Sequence, residues 1–177
     1  MDLAEEHGTP LFVYDEDHLR HRCREAVAGF GDGVAYASKA FLCTAMAALA
    51  HEEGMAVDVA SGGELHVALA AGIPGSRLVL HGNNKSLDEL RAARAAGVAR
   101  TVVDSFYEID RLEALFAADG RRPEVLVRVT PGIEAHTHEY VRTGQEDTKF
   151  GFSVASGAAA EAVARLSSSS APGRLLG

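Results

Sequence analysis

Short apolar runs alternate along this chain with stretches in which apolar residues recur every three or four positions. The runs stand at residues 33–38, 57–60, 77–80, 101–103 and 124–129, and they predict buried strands. The stretches between them have the period of amphipathic helices. Because alternating strands and helices with short connections form parallel sheets, the pattern predicts an α/β protein, either a TIM-type barrel or a doubly wound sheet.

Serine and glutamate residues mark the predicted starts of three helices. The pairs are Ser61 with Glu64, Ser86 with Glu89, and Ser105 with Glu108. In each pair we expect a capping box, in which the serine oxygen accepts from a free backbone N–H and the glutamate reaches back to the N-cap. Glycines mark four helix ends, where the chain must turn through a positive φ, at Gly54, Gly72, Gly97 and Gly120.

Both ends of the chain lie outside these regular units. Residues 10–14 predict a separate strand, 17–28 predict a helix leading into the first unit, 155–166 predict a late helix, and 174–177 look like entry into another strand. A complete TIM-type barrel typically needs ~250 residues, whereas this chain supplies about five strand–helix units. We therefore expect a barrel truncated after about five units, with residues 1–30 as an N-terminal strand and helix and 31–177 as a partial barrel domain.

Composition and charge narrow the choice of partners. The chain has 47% hydrophobic and 24% charged residues and a formal net charge of −8, which argues against a nucleic-acid or anionic-membrane partner. No apolar run reaches the ~20 residues of a membrane span, and the first residues do not resemble a signal peptide. Cys23 and Cys43 form no metal-binding pair. We therefore expect a soluble cytoplasmic protein without a metal site.

Lysine is scarce, and this makes Lys39 the first candidate for chemistry. The chain has three lysines, at positions 39, 85 and 149, among 17 basic residues. Arginine can replace lysine on a solvated surface but cannot form a Schiff base with an aldehyde. Lys39 follows a predicted strand and precedes a helical pattern over residues 40–53. It should therefore lie at the carboxyl end of a strand, where strand-then-helix folds carry out their chemistry.

Other polar residues follow the remaining predicted strands. They are Asp58 with Ser61, the segment His81-Gly-Asn-Asn84, Asp104 with Ser105, and Arg128. In a parallel sheet they share one rim with Lys39, and together they suggest an anionic ligand that bears a carbonyl group. Taken singly, each has a structural explanation, since Glu64 caps a helix and Asn83 and Asn84 favour turns. Their coincidence at one rim favours a functional site.

The residues around Lys39 resemble a known attachment signature. Tyr36-Ala-Ser-Lys39-Ala-Phe41, with Met46-Ala47, Ala50 and Gly54, is similar to the pyridoxal-phosphate signature of the ornithine, diaminopimelate and arginine decarboxylases, which have alanine-racemase-like barrels. Also similar are Asp58-Val-Ala-Ser61, Glu64, Asn83-x-Lys85, Val127-Arg128-Val129 and Lys149-Phe-Gly151. Within that family, residues 131–152 resemble the diaminopimelate enzymes rather than the ornithine enzymes.

The resemblance implies a cofactor, a reaction and roles for four residues. Lys39 would hold pyridoxal 5'-phosphate and act in catalysis, and Asp58, Glu64 and Arg128 would bind the cofactor with it. The implied reaction is decarboxylation of meso-2,6-diaminopimelate to L-lysine, by a protein that is a homodimer at full length. In this family a ring-stacking histidine, a phosphate-binding loop and a second domain follow the point where this chain ends. We therefore expect the isolated chain to be inactive.

Alternative interpretations remain open at this stage. The protein could be another basic amino-acid decarboxylase of the family, or a non-catalytic relative that binds a decarboxylase subunit. His136 and His138, flanked by Glu134 and Glu139, could hold a metal ion, although their spacing defines no third ligand. The segment Ser61-Gly62-Gly63 at a helix start could bind a phosphate group in a barrel enzyme without pyridoxal.

Overall fold

The computed structural model describes residues 2–117, 123–132, 150–168 and 174–176. The helices are α1 (Leu3–His7), α2 (Glu16–Phe30), α3 (Thr44–Glu52), α4 (Gly62–Ala70), α5 (Leu87–Ala96), α6 (Phe106–Phe116) and α7 (Ala158–Ser167). The strands are β1 (Ala35–Ala37), β2 (Ala56–Val59), β3 (Leu78–Leu80), β4 (Arg100–Val103), β5 (Glu124–Val127), β6 (Val129–Thr130), β7 (Phe152–Ser153) and β8 (Arg174–Leu175).

One parallel sheet organises the chain. Six strands lie in the order β1-β2-β3-β4-β5-β8, and every neighbouring pair is parallel. Consecutive strands that lie side by side and parallel need a crossover connection, and α3, α4, α5 and α6 supply these connections. The predicted α/β architecture with a parallel sheet is therefore confirmed, and the predicted strand entry near residue 174 is confirmed as β8.

The main hydrophobic core lies between the sheet and its helices. Strand residues Val57, Leu80 and Val125 are fully buried and pack in the same cluster as Leu65 of α4 and Leu112 of α6. A smaller cluster joins Cys23 of α2 to Leu49 and Ala50 of α3. Burying a side chain of Val or Leu size stabilises the fold by roughly 1.5–3 kcal/mol. This packing makes the sheet a rigid support for the residues at its carboxyl edge.

The separate strand predicted for residues 10–14 has no partner strand in the described part of the chain, and it stays a prediction. Residues 8–15 contain no regular secondary structure, and α2 begins directly after them. Phe12 is 88% exposed, and Tyr14 makes a stacked contact with Phe41, with ring centroids 4.8 Å apart. A strand is defined by its hydrogen-bonded partner, and no strand in the described part of the chain pairs with this segment. The division into residues 1–30 and 31–177 stays a prediction.

The strand predicted for residues 124–129 is interrupted at Arg128. The Arg128 N–H donates to the Val103 carbonyl, which continues the pairing of β5 with β4. The Arg128 carbonyl accepts instead from the Phe152 N–H, at 2.8 Å. The chain therefore changes partners at Arg128, and residues 129–130 form a second small sheet with β7. The long apolar run could not show this change of partner.

The helix starts agree only in part with the predicted capping boxes. Ser61, Ser86 and Ser105 all accept a hydrogen bond from the N–H three residues later. Only the pair of Ser86 and Glu89 forms the full reciprocal box. The helical pattern predicted for residues 40–53 begins at Thr44, after a 3-10 turn over Ser38–Ala40.

The described helix-ending glycines have the conformation expected of them. Gly54, Gly72 and Gly97 have positive φ values of 91°, 84° and 69°. The fourth predicted position, Gly120, lies outside the described residues.

Glu89 joins two helix starts and provides a pH-dependent test of this architecture. Its two carboxylate oxygens accept from the Ser86 N–H and the Gly62 N–H, both at 2.8 Å. Burial acts to raise the pKa of Glu89, but these backbone hydrogen bonds and the Lys85 charge outweigh it and hold the pKa below its usual value of 4.5. The ionised form is therefore the one that stabilises the fold.

We expect Glu89→Gln to lower the free energy of unfolding at pH 7 by roughly 1–2 kcal/mol, because one amide oxygen replaces two charged acceptors. A carboxyl whose pKa is lowered by folding contributes its stability above pH 4.5 and loses it as the pH falls through the folded-state value. The difference between wild type and variant should therefore shrink in urea titrations below pH 4.5. A difference that stays constant with pH would contradict this account.

Candidate active site

Lys39 lies in a 3-10 turn directly after β1, at the carboxyl edge of the sheet. The neighbouring Ser38 is fully buried, and its hydroxyl donates to Glu64 Oε2 at 3.0 Å. The same oxygen accepts from the Ala60 N–H at 2.6 Å. Glu64 therefore ties the end of β1 to the end of β2 instead of completing a capping box with Ser61. Lys39 itself is exposed, so its amine is accessible from the rim.

Asp58 and His81 form a pair beside Lys39. Asp58 stands on β2 and His81 directly follows β3, and Asp58 Oδ2 lies 3.2 Å from His81 Nδ1. The backbone N–H of His81 donates to the Val59 carbonyl at 2.8 Å, which places the residue at the end of the sheet. A Cβ atom on the next residue, Gly82, would lie 2.7 Å from the Ala60 carbonyl oxygen. Only glycine permits the two strand ends to approach this closely.

Arg128 is held at the cavity by a carboxylate and an aromatic ring. Its Nη1 lies 3.2 Å from Asp104 Oδ1, and its guanidinium carbon lies 4.3 Å from the centre of the Phe150 ring. Asp104 is buried, and its other oxygen accepts from the Gly151 N–H at 3.0 Å. A buried guanidinium needs such a partner, because unpaired burial of its charge costs several kcal/mol. Asp104 supplies this partner for Arg128.

These residues surround one cavity of about 280 Å³. The residues that line it are Lys39, Asp58, Ala60, Glu64, His81, Gly82, Asn83, Arg128 and Phe150. All four predicted site residues are therefore brought together here: Lys39 after β1, Asp58 on β2, Glu64 in the first turn of α4 and Arg128 after β5. That these four residues bind the cofactor stays a prediction, because the geometry shows only where they lie.

Two buried polar atoms at this cavity fit a polar ligand. Asp58 Oδ1 and His81 Nε2 are shielded from solvent, and neither has a hydrogen-bond partner in the part of the chain that the structure describes. Buried polar groups are normally paired, since leaving one unpaired costs about 1–3 kcal/mol. An amine, carboxylates, an imidazole and a guanidinium around one cavity suit an aldehyde-bearing heterocycle with polar substituents. The residues present therefore fit pyridoxal phosphate.

A buried ion pair supports the segment that contains His81. Lys85 is 2% exposed, and its Nζ lies 2.8 Å from Glu108 Oε1. The same ammonium donates to the carbonyls of Gly82, at 2.6 Å, and Val102, at 2.8 Å. The ammonium therefore donates to two backbone carbonyls and forms an ion pair with the Glu108 carboxylate. Burial raises the pKa of Glu108, while the Lys85 charge opposes this shift.

The sequence patterns predict only part of this arrangement. They predict Glu108 as a capping residue and not as the partner of Lys85, and they predict neither the contact of Asp104 with Arg128 nor that of Phe150 with Arg128. The scarcity of lysine was a signal for Lys85 as well as for Lys39, because a lysine kept where arginine predominates suggests a compact site. Contacts between side chains on different strands have no sequence pattern of their own.

The alternative interpretations fare differently. The phosphate site proposed at Ser61-Gly62-Gly63 loses support, because the Gly62 N–H already donates to Glu89 and the Glu64 N–H to Ser61. Lys149 and the metal site suggested for His136 and His138 lie outside the described residues. Within the described ranges, no cluster of three or more histidine, cysteine or acidic side chains could hold a metal ion.

Comparison with known proteins identifies the family. Residues 16–170 match the family described as pyridoxal-dependent decarboxylase, pyridoxal binding domain. This match covers most of the chain. The chain belongs to this decarboxylase family. The family implies pyridoxal phosphate as the cofactor, in agreement with the cavity at Lys39.

Named relatives of this decarboxylase domain point to one branch of the family. The chain is 58% identical to diaminopimelate decarboxylase from Mycobacterium bovis over 166 residues, which cover 93% of this chain and 37% of that protein. It is 59% identical to the Mycobacterium leprae enzyme, covering 93% of this chain and 35% of that one. The chain therefore spans little more than a third of the length of these relatives.

A solved structure confirms the fold of the decarboxylase domain. The crystal structure of diaminopimelate decarboxylase from M. jannaschii with L-lysine superposes with a TM-score of 0.83 at 31% identity. The match covers 99% of the chain described here and 42% of the M. jannaschii chain. The described sheet and helices are therefore part of an alanine-racemase-like TIM-type barrel, as predicted. No helix among the described residues is long and apolar enough to cross a membrane.

Proposed function

We propose that the protein containing this decarboxylase domain converts meso-2,6-diaminopimelate to L-lysine with pyridoxal phosphate. The observation that carries the proposal is the cavity in which Lys39, Asp58, Glu64 and Arg128 meet. The identity of 58–59% to diaminopimelate decarboxylases supports the choice of substrate. We further propose that the protein acts in the cytoplasm as a homodimer.

Each cavity residue has a task in this reaction. Pyridoxal phosphate, when bound, supplies an electron sink for the electron pair left when carbon dioxide departs. Lys39 Nζ would hold the cofactor, and the same atom can deliver the proton that replaces the lost carboxylate. Arg128 presents a positive charge that Asp104 and Phe150 keep in one orientation. A fixed charge of this kind needs no reorganisation during the reaction.

Asp58 and Glu64 add two carboxylates to the lining of the cavity. Glu64 is anchored by the Ser38 hydroxyl and the Ala60 N–H, so its position follows from the ends of β1 and β2. Asp58 Oδ1 remains available to a hydrogen-bond donor of the ligand.

The substrate assignment is tested with the complete gene product that contains this chain. The purified protein is incubated with pyridoxal phosphate and, separately, with meso-diaminopimelate, ornithine, arginine or lysine. We expect carbon dioxide release and L-lysine formation with meso-diaminopimelate, and rates at least about 100-fold lower with the others. A rejection of this size is within reach of a site that pairs buried polar groups with the substrate.

Two other results would redirect the proposal. Faster turnover of ornithine or arginine would assign the protein to another branch of the family. Cofactor attachment without turnover of any of the four amino acids would favour the non-catalytic relative. The inactivity of residues 1–177 expressed alone stays a prediction, and the same assay checks it.

A further inference from the structure

His81 lines the cavity but has been given no role in the proposed reaction. Its ring is fixed from two directions. The backbone is held by the hydrogen bond from the His81 N–H to Val59, and Nδ1 lies 3.2 Å from Asp58 Oδ2. Directly after it, the Gly82 carbonyl accepts from the buried Lys85 ammonium. The segment therefore has little freedom to move His81 away from the rim.

The contact with Asp58 decides which ring nitrogen carries the proton. A carboxylate can only accept, so the neutral imidazole must donate from Nδ1 to Asp58. Nε2 then presents a lone pair. This atom is shielded from solvent and has no partner among the described residues, and its residue lines the cavity. A buried acceptor in such a position needs a hydrogen-bond donor that the described protein does not provide.

We propose that His81 is a ligand-contacting residue, whose Nε2 accepts a hydrogen bond from a hydroxyl of bound pyridoxal phosphate. Asp58 is its positioning residue. The inference rests on the proposed cofactor site and adds a contact to it. If His81 were purely structural, it would act only through the contact of Nδ1 with Asp58, and losing Nε2 would not weaken cofactor binding.

Two substitutions separate the ring nitrogens. In His81→Asn the side-chain amide nitrogen can occupy the place of Nδ1 and keep the contact with Asp58, but nothing replaces Nε2. In His81→Gln the longer side chain can bring its amide group towards the place of Nε2. The matched control is His66→Gln on α4, since His66 is exposed and does not line the cavity.

The variants are made in the complete gene product, and the dissociation constant for pyridoxal phosphate is measured by absorbance after the cofactor has been removed. We expect His81→Asn to bind the cofactor roughly five- to tenfold more weakly, the typical effect of losing one hydrogen bond. His81→Gln should lie within about threefold of wild type, and the control should be unchanged. Thermal unfolding of the cofactor-free proteins monitors folding.

Nitrogen-15 spectra of the wild-type histidines provide a second measurement that needs no variant to fold. In the cofactor-free protein we expect His81 in the Nδ1–H form, and we expect its Nε2 resonance to move when pyridoxal phosphate is added. Wild-type affinity in both variants, or tight binding by His81→Asn alone, would overturn the proposal. If both variants bind the cofactor equally weakly, or do not fold, the wild-type spectra decide. An Nε2 resonance that does not move on addition of pyridoxal phosphate would overturn the proposal, and one that moves would support it.

The same experiment keeps the two proposals apart. Wild-type protein that forms no borohydride-stable adduct at Lys39 would remove the proposed cofactor site itself. An adduct at Lys39 combined with unaffected His81 variants would leave the cofactor site in place and remove only the role of His81.

Discussion

We expect Lys39→Arg to abolish covalent capture of pyridoxal phosphate and, if the proposed activity is correct, to lower the decarboxylation rate of the complete gene product by about a thousandfold or more. The substitution keeps the positive charge at the rim, so electrostatic attraction of the anionic cofactor is retained. What it removes is an amine that can bond to an aldehyde carbon and later deliver a proton. The effect is therefore expected on chemistry far more than on folding.

Borohydride reduction followed by peptide mapping checks this result. In the wild type the pyridoxyl group should be found on the peptide that contains Lys39, and in the variant it should be absent. Lys85 serves as an internal control, because its ammonium is buried, donates to two carbonyls and is paired with Glu108. A label on Lys85 or Lys149, or a variant that retains turnover, would refute the assignment of Lys39.

Lys85→Met should cause the largest loss of stability of any substitution considered. The side chain keeps its length but leaves the Glu108 carboxylate and the carbonyls of Gly82 and Val102 without their donor. Breaking one partner of a buried ion pair costs about 3–5 kcal/mol, a large fraction of a domain's total stability. Urea titration of wild type and variant measures the difference in the free energy of unfolding.

The pH dependence of this loss has a definite sign. Burial already raises the pKa of Glu108 above 4.5, and without the Lys85 charge it should rise further. A carboxyl with a raised folded-state pKa contributes its stability below pH 4.5 and loses it as the pH rises through the folded-state value. The deficit of Lys85→Met should therefore be smallest in acid and widen towards neutral pH.

Two further proteins serve as controls for Lys85. Adding Glu108→Leu to Lys85→Met removes the unpaired carboxylate and should recover part of the lost stability. Arg91→Met removes a basic side chain from an exposed pair with Asp88 on α5 and should change stability by less than about 1 kcal/mol. Equal effects of Lys85→Met and Arg91→Met would contradict the role assigned to the buried pair.

The capping glutamates show where sequence patterns stop being sufficient. The same spacing of serine and glutamate occurs at α4, α5 and α6, and in all three the serine caps as predicted. Glu89 alone completes the box, whereas Glu64 bonds to Ser38 and Ala60, and Glu108 pairs with Lys85. A local pattern shows which backbone groups a side chain can reach within its own helix. Groups from other parts of the fold, such as Ser38 and Lys85, compete for the same carboxylate.

The Lys39 neighbourhood illustrates the opposite case. The order of strands and helices, and the position of a scarce lysine after the first strand, can be deduced from the chain alone, because alternation and residue chemistry are local properties. Parallel pairing then requires that the residues after each strand share one edge, and the cavity lined by Lys39, Asp58, Glu64 and Arg128 agrees with this. The predicted site residues converge because their positions follow from topology.

By itself, the sequence determined the α/β class, the parallel order of units, the rim that carries the polar residues, and the family resemblance at Lys39. Only the tertiary structure decided that residues 10–14 pair with no strand of the described chain, that β5 ends at Val127, and that Lys85 pairs with Glu108 in the interior. It also decided that His81 faces Asp58. The physical reason is that these contacts join residues far apart in the chain. The Lys85 ammonium donates to a carbonyl 17 positions away, at Val102, and the Asp104 carboxylate accepts from an N–H 47 positions away, at Gly151. No local periodicity encodes contacts of that range.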